Sequence, residues 1–96
     1  MELVAFGVNH VSAPLTVREA LYLGADRMTD FLRQWRSRDP EDELVGLCTC
    51  NRTELYGFSP GNPEKMNRAI PQRLAEATAT PHESFRDYMY IHHGGD

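Results

Sequence analysis

The chain has 96 residues, of which 41% are hydrophobic and 25% charged, and a formal net charge of −4. That length suits one soluble domain with a modest core, and no apolar run approaches the length of a membrane span. The acidic balance, with Lys65 the sole lysine, excludes a domain held to nucleic acid mainly through phosphate contacts, though not one that touches a single end of an RNA. The N-terminal "MELVAFGVNH" is too short and too acidic for a signal peptide, which makes the cytoplasm the expected compartment.

Leu3 to Val8 is apolar and partly β-branched, a buried strand that ends at Asn9-His10. Thr16-Val17-Arg18-Glu19 fits a capping box, with Thr16 as N-cap of a short helical turn running towards Leu21. Gly24-Ala25 opens a longer helix whose Met28, Phe31, Leu32 and Trp35 form one apolar stripe. It stops before Asp39-Pro40, because a residue preceding proline is pushed out of the α region. Leu44 to Cys48 is apolar on both alternating faces, which predicts an interior strand.

Thr53 to Phe58 alternates, with Glu54, Tyr56 and Phe58 on one side and Leu55 and Gly57 on the other. Between these strands, Thr49 to Arg52 forms a hairpin turn. Ser59 to Pro63 is loop, with Asn62 as N-cap of the next helix and Pro63 at its first position. Met66, Ile70, Leu74 and Ala77 make that helix's apolar stripe, and Pro71 within it predicts a kink or a restart. Thr80-Pro81-His82-Glu83 is a second capping box, and Tyr88 to His92 a last strand.

The order strand, helix, strand, strand, helix, strand is the split βαβ pattern. It predicts an α+β, ferredoxin-like sandwich: an antiparallel four-stranded sheet with helices on one face. In that topology the first and second strands run the same way. Asn9-His10, the Cys50 turn and the start of the last strand then gather at one end of the sheet, with His92 and His93 towards the other.

The stretch "LCTCNRTELY", Leu47 to Tyr56, holds both cysteines. They are open to four readings: a metal clip, a redox pair, two core residues, or one nucleophile and a bystander. A bridge between Cys48 and Cys50 is sterically poor in extended chain, and Cys-x-Cys supplies only two of the four ligands of a structural zinc. Cys48 lies in the apolar run and is expected in the core. Cys50 lies at the turn, where the Arg52 charge favours thiolate over thiol and turn N–H groups can face an anion. Arg52 is either a surface residue or a fork for a carboxylate or phosphate. Glu54 is a solvated strand residue, the partner that orients Arg52, or a site for an amine. Tyr56 and Phe58 lack the sequence context of RNA-stacking aromatics.

Two blocks carry a specific resemblance. "GVNHVSAPLTVREAL", Gly7 to Leu21, and "CTCNRTELY", Cys48 to Tyr56, resemble the N-terminal catalytic domain of glutamyl-tRNA reductase. That family's pattern is Gly-x-Asn-His-x-Thr-Ala-Pro-x-x-x-Arg-Glu followed by Ser-Thr-Cys-Asn-Arg-Thr-Glu-x-Tyr. Ser12 stands where the family has Thr, and Cys48 where it usually has Ser. The resemblance implies NADPH-dependent reduction of glutamyl-tRNA to glutamate-1-semialdehyde through a cysteine thioester, which opens the five-carbon route to 5-aminolevulinate and tetrapyrroles. By position, Cys50 is then the nucleophile, and Thr49, Asn51 and Arg52 bind substrate. Arg52 is suited to the γ-carboxylate and Glu54 to the α-amino group. The family also implies a homodimer and a partnership with the downstream glutamate-1-semialdehyde aminotransferase.

Family members are several times longer, and no G-x-G-x-x-G follows a strand here. Residues 1–96 are therefore expected to be the glutamyl-binding, thioester-forming domain, with NADPH-binding and dimerisation domains absent from the chain. The alternative is a ferredoxin-like binding or regulatory module with incidental cysteines; a third reading is a thiol-redox domain using Cys48 and Cys50 together. The 96 residues are expected to fold alone yet release no semialdehyde when supplied with glutamyl-tRNA and NADPH. Semialdehyde production by the isolated chain in a coupled assay would overturn this.

Overall fold

The structure, a computed structural model, describes residues 3–60 and 62–94. Gly61 of the expected loop and the ends, Met1–Glu2 and Gly95–Asp96, lie outside the described residues. The elements run β1 (Leu3–Asn9), α1 (Leu15–Ala20), α2 (Gly24–Arg38), β2 (Glu43–Thr49), β3 (Arg52–Phe58), α3 (Pro63–Thr78), a 3₁₀ turn (His82–Ser84) and β4 (Tyr90–Gly94). The sheet order is β2-β3-β1-β4 and every neighbouring pair is antiparallel. The expected α+β, ferredoxin-like sandwich is present. Among the described residues no helix is long and apolar enough to cross a membrane.

Alternation along β1 sets the two faces. Val4, Phe6 and Val8 are buried under the helices, while Ala5, Gly7 and Asn9 belong to the open face. The register Phe6↔Leu55, Val8↔Thr53 and Cys48↔Thr53 carries the helix face across β3 to β2. Met28, Phe31 and Trp35 of α2 and Met66, Ile70 and Leu74 of α3 close over it. Gly46 and Gly57 give the two methionines their seats, since a Cβ at either would run into the Met28 or Met66 thioether. Each such buried apolar side chain stabilises the fold by about 1.5–3 kcal/mol.

Several local expectations are corrected. β2 is an edge strand, not an interior one: Leu44, Gly46 and Cys48 turn to the helices, but Val45 and Leu47 lie exposed on the open face. Its two-sided apolar character therefore misled. Pro14, in extended conformation, is the N-cap of α1, so Thr16 falls inside the helix and caps nothing. Pro81 takes the corresponding place before the 3₁₀ turn, and the Thr80 hydroxyl instead donates to Thr78 O and Ala20 O. Asn62 does cap α3, accepting from Lys65 N–H at 3.3 Å.

Pro71 neither ends nor restarts α3; the helix runs through it, with Ile70, Pro71 and Leu74 buried, and that packing outweighs the one backbone bond the ring removes. Ala77 stays exposed in a groove between α2 and α3, its methyl too short to reach across. β4 begins at Tyr90, two residues later than expected. Phe85 is fully buried and Tyr88 N–H bonds back to Phe85 O, so the chain is still turning there.

The far end of the sandwich is tied by a polar network. Trp35 Nε1 donates to Asp42 Oδ2 at 3.0 Å, and Lys65 Nζ reaches Asp42 at 2.9 Å and Asp39 at 3.0 Å. Arg73 pairs with Asp39 at 2.7 Å and stacks 4.1 Å over the Trp35 ring. The Lys65 and Arg73 hydrogen bonds hold the Asp39 carboxyl below its ordinary range; for Asp42, burial pushes upward but the hydrogen bonds from Lys65, Trp35 and Ser59 prevail. Lys65→Met should cost about 2 kcal/mol at pH 7, because it strands a buried carboxylate. Carboxyls depressed in the folded state contribute above their unfolded pKa of about 4 and lose that contribution as pH falls through their folded values. Urea titrations should therefore show the deficit of Lys65→Met shrinking in acid; an equal deficit at all pH values would show that the charge network is not its source.

Candidate functional site

The register brings the expected residues to one end of the sheet. Asn9 and Thr49 both pair with Arg52, and Tyr90 pairs with Gly7. His92 and His93 pair with Ala5 and Val4, towards the other end. Cys50 and Asn51 are the two exposed residues of the β2–β3 turn. Neither has positive φ, so the turn is not one of the mirror-image types common in two-residue hairpins. Thr49 Oγ1 accepts from Asn51 N–H at 3.2 Å and steadies it.

Glu54 is the centre of the open face at this end, and it is buried despite facing away from the helices. Its Oε1 accepts from Tyr56 OH at 2.7 Å and from Arg52 Nη1 at 3.3 Å, and Tyr90 OH donates to its Oε2. Burial works to raise the Glu54 pKa, but the Tyr90 and Tyr56 hydrogen bonds and the Arg52 charge outweigh it, and the carboxyl titrates below its ordinary value. The phenols move the other way. The hydrogen bond to Glu54 raises Tyr56, while burial, followed by Glu54, raises Tyr90.

Gly7 makes this packing possible. A Cβ there would stand 2.8 Å from Glu54 Cγ, 3.0 Å from the Tyr90 hydroxyl and 2.7 Å from Thr53 O, so the carboxylate lies across β1 only because that position has no side chain. Asn9 completes the rim. Its Oδ1 accepts from Val11 N–H and Ser12 N–H at 2.8 and 2.9 Å, and its Nδ2 donates to Tyr90 OH at 3.4 Å. Ser12 Oγ accepts from Asn9 N–H at 3.0 Å, a bond that threonine's hydroxyl would make equally.

The two cysteines part company. Cys48 Sγ accepts from Leu23 N–H at 3.3 Å and lies 3.2 Å from Thr53 Oγ1, which in turn donates to Leu21 O. It packs against the core and links β2 to the chain after α1. Cys50 is tied through its backbone: Arg18 Nη1 donates to Cys50 O at 3.2 Å while Arg18 Nε donates to Ala13 O at 3.2 Å. Sequence reasoning missed Arg18, Tyr90 and the packing role of Gly7. Gly7 carried a local signal, a glycine inside a strand, and Arg18 is the arginine of the Gly7–Leu21 block, whereas Tyr90 carried none.

Comparison with known proteins follows the same lines. The family profile "Glutamyl-tRNAGlu reductase, N-terminal domain" matches residues 6–96. A glutamyl-tRNA reductase of Alkalilimnicola ehrlichii is 39% identical over 98 residues, covering 98% of this chain and 20% of that protein. One of Neisseria gonorrhoeae is 39% identical over 90 residues, covering 94% and 20%. The solved glutamyl-tRNA reductase of Methanopyrus kandleri shares the fold, with a TM-score of 0.60 at 21% identity over 96% of this chain and 19% of that one. The chain thus spans about a fifth of the length of these relatives.

Tyr90→Phe removes the hydroxyl that favours the ionised Glu54, so the Glu54 pKa should rise. An NMR titration of the side-chain carboxyl carbon checks this, and an unmoved midpoint would deny the bond its part in the site.

Proposed function

The chain belongs to the glutamyl-tRNA reductase N-terminal domain family, and from that premise we propose that it is the glutamyl-binding, thioester-forming domain of an NADPH-dependent glutamyl-tRNA reductase. The observation that carries the proposal is the exposed Cys50 at the tip of a hairpin whose next strand begins with Arg52, an arginine tethered to a buried carboxylate.

The Cys50 sulfur attacks the carbonyl carbon of the glutamyl ester. A C–S bond forms, the C–O bond to the ribose breaks, and the thiol's proton ends on the departing ribose oxygen. The products are a glutamyl thioester and free tRNA. Arg52 holds the substrate γ-carboxylate. Glu54 limits where the guanidinium can point, and its negative charge also favours the α-ammonium of the substrate. Thr49 and Asn51 line the approach to the sulfur. A thioester is a suitable acceptor for the hydride that an NADPH cofactor supplies. No residue here fits the cofactor, however: the β1–α1 connection, Asn9 to Pro14, contains no glycine, and the sequence has no G-x-G-x-x-G. The hydride step is therefore assigned to no part of this chain. For the whole enzyme the proposal extends to a cytoplasmic homodimer that opens tetrapyrrole synthesis and hands its aldehyde to an aminotransferase.

In an enzyme containing this domain, Cys50→Ser should abolish the glutamyl adduct seen by intact mass after mixing with glutamyl-tRNA. Cys48→Ser should keep most of it, since a hydroxyl can make the same bonds to Leu23 and Thr53. No adduct on the unaltered enzyme would transfer support to the binding-module reading, an adduct that survives Cys50→Ser would place the nucleophile at another residue, and loss in both variants would support a paired-thiol mechanism.

A further inference from the structure

β2 is an edge strand whose outer side is unprotected. Among the described residues no segment pairs with it there. Its register with β3 advances one residue at a time from Glu43↔Phe58 to Thr49↔Arg52, so no bulge twists it away. It has no lysine and no proline, and its one charged residue, Glu43, stands at its start. Charges, prolines and bulges are the usual devices that keep an exposed edge from pairing with another chain. Here a seven-residue strand leaves alternate N–H and C=O groups facing outward. Beside them stand Val45 and Leu47, 63% and 42% exposed.

About Gly46 the strand is self-complementary. In an antiparallel pair of two β2 strands centred there, Val45 meets the partner's Leu47 on the open face and Leu44 meets the partner's Cys48 on the helix face. Glu43 meets the partner's Thr49, and no like charges stand opposite each other. Both copies then keep their helices on the same face of the joined sheet. We propose that the outer edge of β2 binds the same edge of a second copy of this chain, about a two-fold axis through Gly46, joining two four-stranded sheets into one of eight. The proposal is independent of the thioester reading and of any contact made elsewhere in the longer relatives.

The surroundings of the edge fit this partner. α2 lies over β2, with Met28 seated on Gly46. Between the helix and the start of the strand opens a groove of about 370 Å³ whose lining includes Leu32, Trp35, Pro40, Leu44 and Val45. The antiparallel arrangement sets this end of β2 against the close of the partner strand, so the partner's Leu47 and the partner's Cys48 arrive at an apolar recess. Seven paired residues give a contact about 23 Å long, and the sheet and helix layers together make it about 20 Å deep. The resulting area, about 460 Å² per copy, falls short of the ~800 Å² per partner of a stable complex, so the dimer is weak and reversible. Cys50 follows the paired residues in each copy. The two turns therefore stand about 26 Å apart, at opposite ends of the joined sheet, and both stay open.

Sedimentation equilibrium of the 96-residue chain, with its thiols kept reduced, should show monomer at about 10 μM and mainly dimer at about 1 mM. Val45→Lys puts a charge on the exposed edge and leaves the core untouched, and it should weaken the dimer about tenfold or more. A second measurement tests the register in chains that also carry Cys48→Ser and Cys50→Ser. Chains with Val45→Cys mixed with chains with Leu47→Cys should form a disulfide-linked pair with oxidised glutathione, because those positions face each other. Neither variant alone should do so, because two copies of position 45, or of position 47, lie about 8 Å apart on the diagonal, beyond disulfide reach. A chain still monomeric at about 1 mM would overturn the proposal and leave the edge to an extended segment of another protein. A dimer unaffected by Val45→Lys, or one that links equally well in the single variants, would overturn it by placing the contact elsewhere.

Discussion

A carboxylate buried on the side of the sheet that no helix covers is the constraint on which the site end of this domain depends. Glu54 is sheltered only because three strands contribute to its surroundings: β3 supplies Arg52 and Tyr56, β4 supplies Tyr90, and β1 supplies the gap at Gly7. An ionised carboxyl withdrawn from water is costly unless its oxygens are hydrogen-bonded, and here both are. The arrangement therefore fixes the relative register of β1, β3 and β4 as well as the charge. It also limits the freedom of Arg52, the cation next to the Cys50 turn. A flexible surface arginine becomes a directed one, with less side-chain entropy left to lose on meeting an anion.

The opposite end of the sandwich solves a different problem with similar parts. Trp35, Asp42, Lys65, Asp39 and Arg73 bind the end of α2 to the start and middle of α3. That cluster touches no proposed substrate group. Its role is to lock the two helices over the sheet, so that β2 and β3, pressed beneath Met28 and Met66, hold their turn in place. Tolerance of Pro71 inside α3 follows from the same packing, because a helix held by buried side chains and a salt-bridged network can lose one backbone hydrogen bond.

The two cysteines show how neighbouring residues of one type acquire different roles. Cys48 faces the helices on the alternating pattern of β2, where its sulfur accepts a backbone N–H and meets the Thr53 hydroxyl. A serine at that position would serve equally, in keeping with the family pattern. Cys50 lies just past the last paired residue of β2, so the pleat no longer directs it into the core. Two residues of separation in sequence thus become the difference between a packed link and an exposed thiol.

Local patterns in the sequence determined the strands, the long helices and the topology, because apolar alternation and the 3.6-residue stripe register directly which face must be buried. The motif around Cys50 likewise placed an exposed thiol and an arginine at one turn, which the structure brings to the same end of the sheet. The caps at Pro14 and Pro81, the edge position of β2 and the later start of β4 were decided by tertiary structure, since each depends on which carbonyls and which faces the rest of the chain occupies. So was the burial of Glu54: in sequence it is a charged residue on an outward strand face, and only the close approach of Tyr90 across Gly7 of β1 makes that face an interior. Arg18 reached Cys50 from 32 residues away by the same means. Contacts of that kind lie between elements, and no local pattern of residues records them.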